Sequence, residues 1–295
     1  MNDFNEIIKE ICEEEKIELI NYQGSWLKEL RKDNKVRFIA GYKFSLNNQS
    51  VGLVVDDKGL FYDTLCKKVP IIIHHVIFNN YDADEILNLF HKYNNKVIVK
   101  GNIGTCGREV YKIVDEKRLF NIVDRLLEKQ YSISLCPYYD IEKEYRLIVL
   151  NNEIKLVYGK ENPVVFGDGI KTIKELLLDF NSSYYTKNII ENENYVPKLN
   201  EKIIIEYRFN LSNGARVNKD IDNELKDKLI SMAKEVIKYT NISFGSIDII
   251  KTYNNELLVM EANSGVMMNS YLKQTGDRDL VKNIYHDAII AMFKE

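Results

Sequence analysis

Apolar positions along this chain recur with two different periods, and the changes of period mark its elements. Phe4, Ile7, Ile8 and Ile11 lie at three- and four-residue steps, which predicts a short acidic helix over 4–15. VRFIA (36–40) and VGLVV (51–55) predict strands. Lys58 opens a predicted helix that carries Leu60, Phe61 and Leu65, with Pro70 beyond its end. IIIHHVIF (71–78) is a continuous apolar run of the kind a buried strand shows.

A strand (97–100), a glycine loop (101–107), a strand (109–114), an amphipathic helix through Leu119, Ile122, Val123, Leu126 and Leu127, and a strand (131–136) predict an α+β lobe. Beyond it, EYRLIVL (144–150) and EIKLVYGK (153–160) read as a hairpin turning at Asn151-Asn152. GDG (167–169) begins a turn, 172–180 a helix, and 202–209 a strand, with a polar loop over 181–200. Leu225, Leu229, Ala233, Val236 and Ile237 mark another helix. A second hairpin joins FGSIDIIK (244–251) to ELLVMEAN (256–263), and 277–294 is a closing helix. This order divides the chain into an N-terminal lobe (1–75), a glycine-loop lobe (76–136) and a C-terminal lobe (137–295).

Composition narrows the function classes. The 295 residues are 45% hydrophobic and 29% charged, as in an ordinary globular protein. A net charge of −3 gives no global basic field for nucleic acid or anionic membrane, so any phosphate site must be local. The acidic N-terminus lacks the features of a signal peptide, and no apolar run is long enough to span a membrane. Cys12, Cys66, Cys106 and Cys136 form no CxxC pair, which fits a reduced cytoplasmic setting.

The candidate chemistry is concentrated in two segments. In VIVKGNIGTCGREV (97–110), Gly101, Gly104 and Gly107 let backbone N–H groups approach an anion, and Lys100 ends the incoming strand. No GK[ST] closes the loop, and a strand rather than a helix follows it, so it reads as a hairpin flap over phosphates. In GSIDII (245–250) and MEANSG (260–265), alternation sets Glu261 and Asn263 on one face, and the hairpin brings Asp248 beside them. Two carboxylates and an amide oxygen suit Mg2+, with phosphate oxygens completing its shell. Carboxylates clustered on an apolar strand would otherwise repel one another, which calls for a cation. Weaker candidates are Asp57-Lys58, Lys160 with Gly167-Asp168-Gly169 and Thr172, and Arg208-Phe209-Asn210. Each is most often a surface feature when taken singly.

Taken in order, Asp57-Lys58, VIVKGNIGTCGREV, EYRLIVL, VVFGDGIKTIKELL (164–177), RFNLSNG (208–214), GSIDII and MEANSG resemble the ATP-grasp superfamily. RimK-like glutamate ligases and the ATP-grasp half of cyanophycin synthetases are the nearest pattern. The likeness runs from about residue 47 to 272. It implies two α+β lobes clasping ATP, preceded by a short pre-ATP-grasp lobe. Lys58 and Lys100 would contact phosphates, and the loop holding Gly104, Thr105, Cys106 and Gly107 would fold over them. Cys136, Pro137 and Tyr138 would form the adenine hinge, Asp140 would reach the ribose, and Glu144 and Arg146 would line the cleft. Asp248, Glu261 and Asn263 would hold two Mg2+ ions, with Mn2+ as a substitute. Arg208 and Asn210 would lie by an acyl phosphate; Lys160, read from the residues alone, is a candidate catalytic cation for the γ-phosphate or an acyl phosphate. The chain departs from the pattern in carrying Gly101 where proline is usual and Cys136-Pro137 where the hinge usually has Gln or Glu.

The implied activity is ATP-dependent ligation. A carboxylate is activated as an acyl phosphate and joined to an amine, that of an amino acid or peptide. A ligase forming macrocycles within a ribosomal precursor peptide and a phosphotransferase that stops at the first step are the alternatives, and a nucleotide-sensing module without turnover is a fourth reading. Nucleic acid and membrane are not expected partners; a homo-oligomer is compatible with the sequence.

Overall fold

The structure, a computed structural model, describes residues 3–104, 109–180 and 193–294. Helix α1 (Asp3–Glu14) leads into the antiparallel strands β1 (Glu18–Asn21), β2 (Leu27–Lys32), β3 (Lys35–Ala40) and β4 (Lys43–Phe44), which form one sheet in chain order. Helices α2 (Gln49–Asp56) and α3 (Lys58–Leu65) follow. A second sheet, in the order β5-β8-β6-β7, is built from β5 (His75–Phe78), β6 (Val97–Gly101), β7 (Val110–Ile113) and β8 (Ser132–Pro137). Helices α4 (Ala83–Lys92) and α5 (Glu116–Leu127) cover one of its faces, enclosing Val97, Val99, Ile133 and Leu135.

The central sheet has the order β13-β10-β9-β14-β15. Its strands are β9 (Ile141–Leu150), β10 (Glu153–Glu161), β13 (Arg216–Asn218), β14 (Phe244–Thr252) and β15 (Leu257–Asn263). Between β10 and β13 lie β11 (Val164–Phe166), α6 (Ile173–Phe180) and β12 (Lys202–Ile204), with β11 and β12 pairing as a small ribbon. Helix α7 (Asn223–Thr240) precedes β14, and α8 (Asn269–Thr275) and α9 (Arg278–Lys294) close the described chain. The central sheet is buried on both faces. Tyr145, Leu147, Val149, Ile247 and Ile249 pack under α2, α3 and α7, while Ile148, Leu150, Tyr158 and Phe244 pack with α1, α9 and the N-terminal sheet. That two-sided burial is why β9 and β14 read as nearly unbroken apolar runs.

Three segments differ from the sequence reading. Residues 51–55 lie within helix α2, not a strand. Asn48 caps it by accepting from the Val51 N–H at 2.9 Å, and Val51 and Val55, four apart, face inward while Leu53 is exposed. The run 71–78 is divided between two sheets. Ile71 bridges Val259 of β15 in parallel, Ile72 N–H donates to the Val259 carbonyl at 3.0 Å, and only His75–Phe78 joins the second sheet. This run therefore connects the two sheets. The strand expected over 202–209 ends at Ile204, because Glu206 turns to accept from the Arg208 backbone and guanidinium.

Candidate active site

The candidate cleft has two lysines on one side. Asp57 caps α3 by accepting from Leu60 N–H at 2.9 Å, which sets Lys58 at the first helical position. Its ammonium donates to the carbonyls of Gly104 at 3.1 Å and Asn102 at 3.4 Å. Lys100, near the end of β6, is also buried, and its ammonium has no hydrogen bond or ion pair among the described residues. Burial pulls Lys58 below the usual lysine range; Glu261 across the cleft opposes this and Lys100 adds to it. Two buried ammoniums repelling one another, with only carbonyls to satisfy one of them, are a local demand for an anion.

Asn102 holds this side together. Its amide donates to Asp57 Oδ2 at 2.7 Å and to Ser132 Oγ at 3.2 Å, and its Oδ1 accepts from Gly59 N–H at 3.0 Å. Gly59 must be glycine for this approach, since a Cβ there would lie 2.2 Å from Val76 Cγ2. At Gly101 a Cβ would lie 2.3 Å from the Gln130 amide, so Gln130 occupies the space that a proline ring would need. Thr105, Cys106 and Gly107 lie outside the described residues.

The acidic side is set by strand register. Asp248 pairs with Glu261, and Ser246 with Asn263, across β14 and β15, while Asp248 pairs with Arg146 across β14 and β9. Arg146 grips Asp248 with two of its guanidinium nitrogens, Nε to Oδ1 at 2.8 Å and Nη2 to Oδ2 at 2.5 Å. Lys160 donates to Glu144 and, at 3.2 Å, to Asp248 Oδ1. The cations balancing Asp248 and Glu144 are thus protein side chains, which the argument from carboxylate repulsion did not foresee. Glu261 and Asn263 are only partly buried, and the Asn263 amide lies 3.4 Å from Glu261 Oε1. The Glu261 charge acts on the Lys58 ammonium.

Burial pushes the Glu144 carboxyl up to about 7; Lys160 pulls against this and the Asp248 charge adds to it. Burial alone would also raise Asp248, but Arg146 and Lys160 overcome it and hold that carboxyl at about 2. The consequences for stability have opposite signs. Folded Glu144 keeps a proton that the unfolded chain releases near 4.5, so its contribution weakens as pH rises from there to about 7. Asp248 contributes stability that is lost only as pH falls below about 4, toward 2. Urea denaturation at pH 5 and pH 8 is expected to show wild type losing about 1–3 kcal/mol relative to Glu144→Gln over that interval. Parallel pH curves for the two proteins would contradict the assignment.

The segment expected to form the hinge lies at the end of β8. Cys136 is buried with its thiol pushed up by burial, and its Sγ is 3.7 Å from the Ile98 carbonyl. Pro137 ends the strand. The Tyr138 ring is flanked by the Lys96 and Lys112 ammoniums at 4.0 and 4.5 Å, and Asp140 pairs with Lys96 at 3.6 Å. Arg208 is paired with Glu206, and Asn210 accepts from Ser212 N–H at 3.0 Å. Asp168 accepts from Ile170 and Lys171 N–H, and Thr172 forms a reciprocal capping box with Glu175, so the GDG segment shapes a turn and a helix start. Tyr207 Oη donates to the Val110 carbonyl at 3.1 Å, tying this loop to the glycine-loop sheet.

Asn102, Glu206 and Asp56 were not singled out from sequence. Asp56 accepts from Ser264 N–H at 2.9 Å and Ser264 Oγ at 2.7 Å and pairs with Lys43, anchoring the end of the MEANSG segment. Asn102 was visible as a polar residue inside a glycine run, but its buried role depends on α3 packing against β6.

No family profile and no curated protein matches the sequence. Solved structures do share its backbone course. The bifunctional glutathione synthetase of Pasteurella multocida aligns at 12% identity with a TM-score of 0.55, covering 97% of this chain and 44% of that one. D-alanine–D-alanine ligase of Bacillus anthracis aligns at 13% identity and 0.57, covering 84% and 71%. The ATP-grasp ligase PsnB, complexed with a minimal precursor, aligns at 11% identity and 0.50, covering 83% and 62%. The chain therefore spans less than half of the glutathione synthetase chain and somewhat under two thirds of PsnB. At such identities these are likenesses of fold.

Proposed function

We propose that this chain, whose fold is ATP-grasp, is an ATP-dependent ligase that activates a carboxylate as an acyl phosphate and joins it to an amine of an amino acid or peptide. The observation that carries this reading is the pair of buried, mutually repelling lysines, Lys58 and Lys100, with the Glu261 charge acting on Lys58 and no carboxylate bound to either ammonium. A nucleotide polyphosphate supplies the charge that such a pair lacks.

In this reading Lys58 and Lys100 bind phosphate oxygens, and Cys136, Pro137 and Tyr138 offer backbone groups and an aromatic wall to the base. Among the described residues no cluster of three or more His, Cys, Asp and Glu side chains forms a metal cage. The oxygens available are those of Glu261 and the Asn263 amide, because both Asp248 oxygens already accept from Arg146 and Lys160; these two hard-oxygen donors suit Mg2+ when phosphate oxygens complete the shell. Bound Mg2+ would neutralise charge on the transferring phosphoryl group. A carboxylate oxygen attacks the γ-phosphorus while the bond to the bridging oxygen breaks, giving acyl phosphate and ADP. The amine nitrogen then attacks the acyl carbon, phosphate leaves, and the amine proton passes to solvent. Arg208 and Asn210 are assigned to the acyl-phosphate end of the cleft, where cationic and amide donors would offset oxyanion charge; Lys160, expected there from sequence, is instead buried and held by Glu144 and Asp248. RimK-like glutamate addition is the finer reading of the motifs. A macrocycle-forming peptide ligase is the second reading, favoured by the shared fold of PsnB, which has been solved with precursor peptide PsnA2.

Glu261→Gln keeps the shape of a partly buried side chain and removes its charge. ATP turnover is expected to fall by about 100-fold or more, with circular dichroism unchanged. Wild-type ADP release from that variant would sink the metal assignment.

A further inference from the structure

The glycine-loop sheet turns one face to its own core and the other to the cleft. Strand register sets Val76, Ser134 and Lys100 side by side on the cleft face. Alternation along each strand adds Ile98, Asn102, Ser132 and Cys136, and continues to His74 just before β5. On β7, Lys112 pairs with Ile98 on the same face, so the polar groups of this face among the described residues are hydroxyls, an amide, a thiol, an imidazole and the ammoniums of Lys100 and Lys112, with no carboxylate among them.

His74 is the member of this face that nothing above accounts for. It is buried, and its Nδ1 lies 2.7 Å from Ser134 Oγ. Its Nε2 is buried without a hydrogen-bond partner among the described residues; the Met260 carbonyl approaches the ring but does not meet hydrogen-bond geometry. The tautomer follows from counting partners. If the Ser134 hydroxyl donates to Nδ1, the ring proton sits on Nε2 and only that N–H is unsatisfied. The reverse arrangement leaves two orphans, the Ser134 proton and the Nε2 lone pair, because Ser134 Oγ has no second partner among the described residues. Burial pushes the imidazole down to about 2, with Lys100 and Lys58 adding to the shift, so the ring is neutral at any working pH.

We propose that His74 is a nucleotide-contacting residue whose Nε2–H, fixed by Ser134, joins Lys58 and Lys100 in a three-donor site for a phosphate oxygen of the nucleotide. The inference rests on the reading of this cleft as a nucleotide site. A phosphate oxygen fits better than a ring nitrogen of the base, because both neighbouring ammoniums call for negative charge and a purine nitrogen carries none. A neutral donor also adds no third charge to a pair that already repels.

Nitrogen–proton NMR of the full chain, with the His74 signals assigned by loss in His74→Phe, reads the contact directly in the wild-type protein. The free protein is expected to show the Nε2–H tautomer. MgADP is expected to move that proton downfield and slow its exchange, while adenosine leaves it in place. Calorimetry is expected to show MgADP binding weakened about tenfold in His74→Phe and partly restored in His74→Gln, whose amide can donate, with adenosine affinity unchanged. Normal MgADP binding with an unmoved His74 signal overturns this inference alone, as does an equal shift with adenosine. A wild-type protein that binds no MgADP overturns the nucleotide reading and this inference together.

Discussion

Lys100→Met is expected to lower ATP turnover by about 1,000-fold while leaving the protein at least as stable as wild type. The two effects share one cause. Lys100 is buried on the cleft face of β6, has no partner among the described residues, and repels Lys58. Methionine fills similar volume, needs no counter-charge, and removes that repulsion. The stability gain is expected to be about 1 kcal/mol, measured by urea denaturation of the unliganded protein. Saturating MgADP is expected to reverse the order, because a ligand that binds only the native state stabilises the protein that binds it. A variant both inactive and clearly less stable would show that Lys100 is structural.

Asp248→Ala should behave in the opposite way. Asp248 accepts from two Arg146 nitrogens and from the Lys160 ammonium. Its removal leaves Arg146 without its carboxylate partner and Lys160 with Glu144 alone, in a region with almost no water access. The expected loss is about 3–5 kcal/mol of folding stability together with turnover. Asp248→Asn keeps the shape and some hydrogen bonding, and is expected to lose less stability but equal activity. If Asp248→Ala unfolded at the wild-type urea concentration, the ion-pair account of the cleft floor would be wrong.

These two variants separate the parts of the site that were readable in sequence from those that were not. Lys100 stood out because it ends an apolar strand at a glycine loop, a local signal. Asp248, Glu261 and Asn263 stood out because alternation and a tight hairpin fix their relation within a few residues. The counter-charges on Asp248 come instead from β9 and β10, about 100 residues earlier in the chain by the sequence numbering, and only the order β10-β9-β14 brings them together. Sequence reasoning therefore asked for a metal where the fold also supplies Arg146 and Lys160.

The same division runs through the fold. Amphipathic helices such as 116–127 and the two long hairpins carried their period in the sequence. The N-terminal strands β1 and β2 did not, since LKELRK carries four charges in six residues, and its buried Glu29 is satisfied by Arg31 two residues along the same strand and by Tyr22 just beyond β1. Helix α2 was mistaken for a strand because β-branched residues dominate VGLVV. Its Asn48 cap and its contact with α3 and α7 decide the matter. His74 was visible as half of a histidine pair in an apolar run, but its missing partner shows only when β5, β6 and β8 are assembled.

One crystallographic measurement tests the account at its centre: the anomalous signal of Mn2+ in crystals grown with a non-hydrolysable ATP analogue. The account expects a manganese peak about 2.2 Å from oxygens of Glu261 and Asn263, with the analogue's phosphates against Lys58 and Lys100. An analogue bound elsewhere, or a manganese peak away from β15, would contradict it.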